Sequence, residues 1–188
     1  MIDDVITGSV TQYGEQGANI SRLAVLLSPL PPSVPAVTLN RMCGSSQQAV
    51  HFAAQSIAAG DAGYVLAGGV ESMSRVAMGS DGGAWASDPA TALKTGFVPQ
   101  GIGADLIATL GGWGRDDVDR YALSSQQRAA AAQAEGRFDR SVIPVDDEIG
   151  LPVLERDEFL KPRTTLEGLA QLKPAFAEMG AMGFDAVA

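Results

Sequence analysis

The first third of the chain sets apolar and small residues in runs of two different periods. Residues 4–10 begin as a short β run, and residues 17–27 follow with a helical period. In that helix Ile20, Leu23, Ala24 and Leu27 fall at i, i+3, i+4 and i+7, which predicts one buried face. Residues 36–39 read as a second strand and residues 45–59 as a second helix. The second helix is small or apolar on most sides, through Ala49, Val50, Phe52, Ala53, Ala54 and Ile57, and is expected to be packed all round. Residues 64–70 form a third, strongly apolar strand. Strand–helix–strand–helix–strand at this spacing predicts right-handed crossovers and a parallel, helix-covered sheet, an α/β architecture.

The second half is more charged and reads as shorter, solvated helices. One covers residues 102–110 and stops at Gly111-Gly112. A longer one covers about residues 116–135, with Val118, Tyr121 and Ala122 on one face and Gly136 at its C′ position. Thr164 with Glu167 forms a capping-box pattern opening a short helix that ends before Pro174. Residues 179–188 are rich in glycine and alanine and carry no stop signal. The glycines around Asp81, followed by Ser87-Asp88-Pro89, mark the division into domains 1–88 and 89–188.

Composition narrows the function classes. The 188 residues are 46% hydrophobic and 19% charged, enough to bury a core. A net charge of −9 argues against a nucleic-acid partner, whose binding needs clustered Lys and Arg. Pro29, Pro31, Pro32 and Pro35 interrupt the best apolar run, so no membrane span is expected, and no basic segment follows Met1 to suggest secretion. The expectation is a soluble, cytoplasmic protein. The single cysteine, Cys43, excludes an internal disulfide and a cysteine-rich zinc site. Asp116-Asp117 and Asp146-Asp147-Glu148 lack calcium-loop spacing, so no metal is expected. Gly101-Ile102-Gly103 lacks the third glycine of a dinucleotide fingerprint, so no NAD site is proposed.

The segment from Leu39 to Val50, through Asn40, Arg41, Met42, Cys43 and Gly44, places a cysteine after a buried strand and at the first turn of a helix. Unpaired amides there favour thiolate over thiol. Gly44 leaves room for close approach, and Ser45 or Ser46 can cap the helix. A free cysteine is as often a small buried hydrophobe, so these residues alone leave both readings open.

The stretch from Leu39 to Ile57 resembles the acyl-enzyme signature of the thiolase family, the acyl-CoA acetyltransferases. It matches in Asn40, in Cys43 followed by Gly44-Ser45-Ser46, and in Ala49, Val50 and Ile57. The run from Gly68 through Glu71 to Ser74 looks like the family's next strand and turn. Ser124 to Ala129, Gly136-Arg137-Phe138 and Ile143-Pro144-Val145 are similar to its loop domain. The resemblance implies a thiolase-like layered fold: a partial N-terminal βαβαβ unit with a mainly parallel sheet, then a mostly helical loop domain. It implies a two-step acyl transfer in fatty-acid and lipid metabolism. Cys43 would attack a 3-ketoacyl-CoA, release acetyl-CoA and pass its acyl group to a second CoA. The loop segment from about 97 to 173 would cover CoA, with Gln100 and Lys161 where pantetheine or phosphate contacts belong. Acyl-CoA and CoA would be substrates, with no tightly bound cofactor, and the full-length protein a homo-oligomer. Pro99-Gln100 stands where the family often has His-Met, which argues against a plain acetoacetyl substrate.

The resemblance also implies missing parts. A Claisen step needs a second base, and the family's further histidine and second cysteine belong to a C-terminal half. The only histidine, His51, lies eight residues past Cys43 on the same helix, roughly 12 Å at about 1.5 Å per residue. The chain therefore reads as a fragment, either of an active acyltransferase or of a silent chain that binds acyl-CoA or a thiolase partner. The family strand preceding this segment lies mid-sheet, so the strands around Ile6 and Val65 are expected to lack a shared neighbour. Glu71 is read as a carboxylate satisfying turn amides rather than as an active-site acid.

Overall fold

Asp4–Gly8 forms β1, the centre of a three-stranded parallel sheet ordered β2-β1-β3, with β2 at Ala36–Leu39 and β3 at Val65–Gly69. The computed structural model describes residues 1–182. The chain packs as two compact units, Met1–Phe97 and a second beginning at Val98. In the first, α1 (Ile20–Leu27) links β1 to β2, and α2 (Ser45–Ala59) links β2 to β3. Val5 of β1 clusters with Val25 of α1 and with Val34, whereas Gly8, three residues further on, lies against Ser45 of α2. An odd offset along a strand means opposite faces, so the two helices cover opposite sides of the sheet.

The strands around Ile6 and Val65 pair directly, in parallel register from Asp4↔Val65 to Gly8↔Gly69. The expectation that they lack a shared neighbour is corrected. Each strand's backbone donors and acceptors satisfy the other's, which removes the cost of two open edges in the middle of the sheet.

α1 is rotated from its expected face. Its buried residues are Ser21 and Val25, while Leu23 and Leu27 are exposed. Polar contacts at its start set the rotation. Asn19, in the left-handed region at φ 62°, accepts from the Arg22 amide and donates to the Ala36 carbonyl at 2.9 Å. Ser21 donates to the Val37 carbonyl at 2.9 Å, and its hydroxyl also meets that of Thr7. Nor is α2 packed all round. Ser45, Gln48, Ala49 and Ala53 are buried, but Val50 and Ile57 on its outer side stand about half exposed. One face lies on β1 and β3 and the other has no cover among the described residues.

Two short helices follow β3, α3 (Ala84–Ser87) and α4 (Pro89–Thr95), the second capped by Asp88, which accepts from the amides of Ala90 and Thr91. In the second unit, α5 (Gln100–Gly111) buries Ile102 and sets Gly101 against the Phe176 ring, where any side chain would collide. The long helix α6 (Arg115–Ala134) opens with Asp117 accepting from the Gly114 amide at 2.9 Å and ends before Gly136 at φ 68°. Arg115 donates to the carbonyls of Leu169 and Leu172, tying α6 to α7 (Leu166–Ala170). Thr165, not Thr164, caps α7, accepting from the Gly168 amide at 3.1 Å. Thr164 turns back to the Lys161 carbonyl instead. A two-stranded antiparallel pair, β4 (Val145–Asp146) with β5 (Pro152–Leu154), and α8 (Ala177–Ala181) complete the described residues. The expected open run at 179–188 lies mostly outside them. No helix among them is long and apolar enough to cross a membrane.

Candidate active site at the end of the parallel sheet

Cys43 is exposed in the connection between β2 and α2, at the C-terminal edge of the sheet. In open parallel sheets that edge is where ligands bind. Met42, just before it, adopts the left-handed region at φ 48°, a costly conformation for a residue with a Cβ. The turn is held at several points. The Met42 amide donates to Asn40 Oδ1 at 2.8 Å, and the Met42 carbonyl accepts from the Ser45 amide at 3.0 Å and from Ser45 Oγ at 2.6 Å. Ser45 Oγ also accepts from the Arg41 amide at 2.8 Å. Ser45 thus braces the turn and does not cap the helix. Gly44 is the capping position, with no side-chain cap, so Cys43 stands one residue outside the cap rather than in the first turn.

The glycines that matter here are not Gly44. A Cβ on Gly44 would meet only ordinary contacts, the nearest being the Arg41 carbonyl at 3.5 Å. Gly8 and Gly69, paired across β1 and β3, let the start of α2 lie directly on the strand ends. A Cβ on Gly8 would fall 2.5 Å from Ser46 N and 2.6 Å from Ser45 Cβ. One on Gly69 would strike Ser46 Oγ and come within 2.8 Å of the Gly8 carbonyl. The backbone of α2, and with it Cys43, is seated by two missing side chains.

Glu71, just beyond β3, accepts from the amides of Val10 at 2.7 Å and Thr11 at 3.2 Å, and from Gln16 Nε2 at 2.9 Å. Burial opposes its charge, but the hydrogen bonds from Val10, Gln16 and Thr11 prevail and hold its carboxyl below the ordinary glutamate range. It binds turn amides, as its position at a strand end suggested. A carboxyl with a depressed folded-state pKa stabilises the fold above its unfolded pKa, and that contribution is lost as pH falls through the folded value. Glu71→Gln should therefore be less stable than the parent at neutral pH. The difference should shrink towards zero below the carboxylate range. Denaturation midpoints measured from pH 7 to pH 3 check this; a gap that does not change with pH would contradict it.

The other residues singled out from the sequence lie elsewhere. His51 is an exposed residue of α2. Gln100 is the exposed first residue of α5. Lys161 is exposed, and its amide donates to Gln126 Oε1 at 2.8 Å. Gln126 lines a cleft of about 440 Å³ in the second unit, together with Phe138, Arg156 and Leu160. Lys161 is thus fixed beside the cleft through its backbone. Periodicity could not reveal this cleft, because its walls come from α6, the loop after it and the segment beyond β5.

The first unit is a parallel α/β unit with an exposed cysteine on the turn between a strand and the helix that follows it. The chain belongs to the thiolase family: the description "Thiolase, N-terminal domain" matches residues 1–183. It is 44% identical over 178 residues to a 3-ketoacyl-CoA thiolase of Pseudoalteromonas translucida, covering 93% of this chain and 46% of that protein. A 3-ketoacyl-CoA thiolase of Cronobacter sakazakii is also 44% identical over 178 residues, with the same coverage. A beta-ketoadipyl-CoA thiolase of Acinetobacter baylyi is 42% identical over 191 residues, covering 92% of this chain and 48% of its own length. The chain spans about half the length of the curated relatives it matches.

Proposed function

We propose that this chain carries the nucleophile of a thiolase-type acyltransferase, with Cys43 holding the acyl group between two CoA thioesters. The observation that supports it is the placement of Cys43, exposed on a braced left-handed turn ahead of α2 at the sheet's C-terminal edge. In the degradative direction Cys43 Sγ bonds to the 3-keto carbon of a 3-ketoacyl-CoA, and the bond between carbons 2 and 3 breaks. The electron pair leaves with acetyl-CoA as its enolate, which takes up a proton. A second CoA thiol then displaces the acyl group and gives its proton to the returning cysteine. Exposed Lys161 suits a phosphate of CoA as a point charge, and Gln100 suits the amides of pantetheine. No resident cofactor is required. Exposed apolar side chains on both helices, among them Leu26, Leu27, Val50 and Ile57, support assembly with a further copy of the chain.

The test is acyl loading. Incubated with acetyl-CoA, the folded chain should gain one acetyl group, located by mass spectrometry on the Cys43 peptide, and Cys43→Ala should gain none. Loading at another residue, or none on folded protein, would overturn the assignment. A second reading, a silent chain that binds acyl-CoA or a thiolase partner without turnover, is favoured by the distance of His51 from the thiol.

A further inference from the structure

We infer that Glu71 and Asn40 are positioning residues for Cys43, joined to it by one chain of hydrogen bonds crossing the C-terminal edge of the sheet. This rests on the reading of Cys43 as the acyl-accepting group. The chain starts at Glu71, beyond β3, where Oε2 accepts from the Val10 amide at 2.7 Å. Val10, beyond β1, offers its carbonyl to Asn40 Nδ2 at 3.0 Å. Asn40, beyond β2, accepts through Oδ1 from the Met42 amide at 2.8 Å. Met42 is the left-handed residue that presents Cys43. The three links join the loops after all three strands, in the spatial order β3, β1, β2.

Both ends of the chain are fixed from a second side. Gln16, only 4% exposed, donates through Nε2 to both Glu71 Oε1 and the Thr11 carbonyl, each at 2.9 Å, and its Oε1 accepts from the Ser72 amide. Met42 is held at its amide by Asn40 and at its carbonyl by Ser45. A non-glycine residue keeps a left-handed backbone only where its surroundings over-determine it. The carboxylate is the strongest acceptor in the chain, because its hydrogen bonds are charge-assisted. It anchors Val10, so the Val10 carbonyl is fixed where Asn40 needs it. An acyl-accepting thiol must be held close to its productive geometry, and here the hold runs back to a carboxylate on another strand.

The experiment uses the full chain and the variants Glu71→Gln, Asn40→Ala and the two combined. Glu15→Gln is the control, since it removes a neighbouring surface ion pair with Arg75 and leaves the chain of bonds intact. Three quantities are read: hydrogen exchange at the Met42 amide, the rate of Cys43 alkylation by iodoacetamide, and acetyl loading from acetyl-CoA. In Glu71→Gln the Met42 amide should exchange faster while the Arg22 amide, a helix-start amide outside the chain, does not. The alkylation rate should change by about threefold or more, and the double variant should go no further than Asn40→Ala, as coupled residues require. Loading should fall more than alkylation changes. Uniform acceleration of exchange across β1, additive effects, or a Glu71→Gln variant indistinguishable from Glu15→Gln would overturn the inference. Absence of loading in the parent chain would sink the proposed function alone, because exchange and alkylation still decide the positioning chain.

Discussion

Gly8→Ala should destabilise the first unit by about 1–3 kcal/mol, the usual cost of forcing extra atoms into a closed contact. The added Cβ would sit 2.5 Å from Ser46 N and 2.6 Å from Ser45 Cβ, at the seated start of α2. Relief would have to come from the helix backbone, because no flexible side-chain end is in the way. For a unit of this size each kcal/mol lowers the thermal midpoint by about 4–8 °C. Gly69→Ala should behave similarly, since rotating Ser46 removes one clash and leaves the Gly8 carbonyl at 2.8 Å. Gly68→Ala is the control. Nothing lies within 4 Å of its added Cβ, so it should be neutral or stabilising by up to about 1 kcal/mol through the unfolded state. Calorimetry of the three variants decides the matter. Equal midpoints for Gly8→Ala and Gly68→Ala would mean that α2 is not seated on the strand ends as described.

This pair of glycines carries no local mark in the sequence. α2 was legible to the residue, because Gly44 and Gly60 bracket a run of helix formers between two apolar strands. The parallel βαβαβ order followed from spacing alone. Glu71 was legible as a turn-amide acceptor, a carboxylate at a strand end needing donors. The rotation of α1 was not. Its apolar residues offer more than one face, and the choice is made by Asn19 and Ser21 bonding to β2, contacts no helical period encodes. The pairing of β1 with β3 differs from what the resemblance implies, because the backbone groups of these two strands find each other. The link from Glu71 through Val10 and Asn40 to Met42 was equally hidden. It joins residues 30 and 61 positions apart, and nothing local marks Gly8 and Gly69 as the close-approach glycines rather than Gly44.

Expressed alone, the 188 residues should load an acyl group on Cys43 without sustaining turnover of 3-ketoacyl-CoA. The reaction needs a proton delivered to the departing acetyl-CoA enolate and removed from the incoming thiol. A positioned acid–base group contributes about 10²–10⁴-fold to such steps. The sequence has one histidine, His51, and no second thiol. His51 lies in the second turn of α2 while Cys43 stands ahead of the helix cap; at about 1.5 Å per helical residue the rise from Ser45 to His51 alone is roughly 9 Å, beyond the reach of a hydrogen bond. The carboxylate nearest in the hydrogen-bond chain, Glu71, is already occupied by Val10, Thr11 and Gln16. Turnover should therefore run at least about 10²-fold below that of a full-length relative assayed in parallel, while single-turnover loading persists. Added imidazole should recover part of the deficit, since it supplies a base from solution. Acetoacetyl-CoA and a longer 3-ketoacyl-CoA are assayed side by side, because Pro99-Gln100 departs from the family pattern and argues against the plain acetoacetyl thioester. Turnover matching the relative, lost in Cys43→Ala and indifferent to imidazole, would show that another group of this chain already moves the proton.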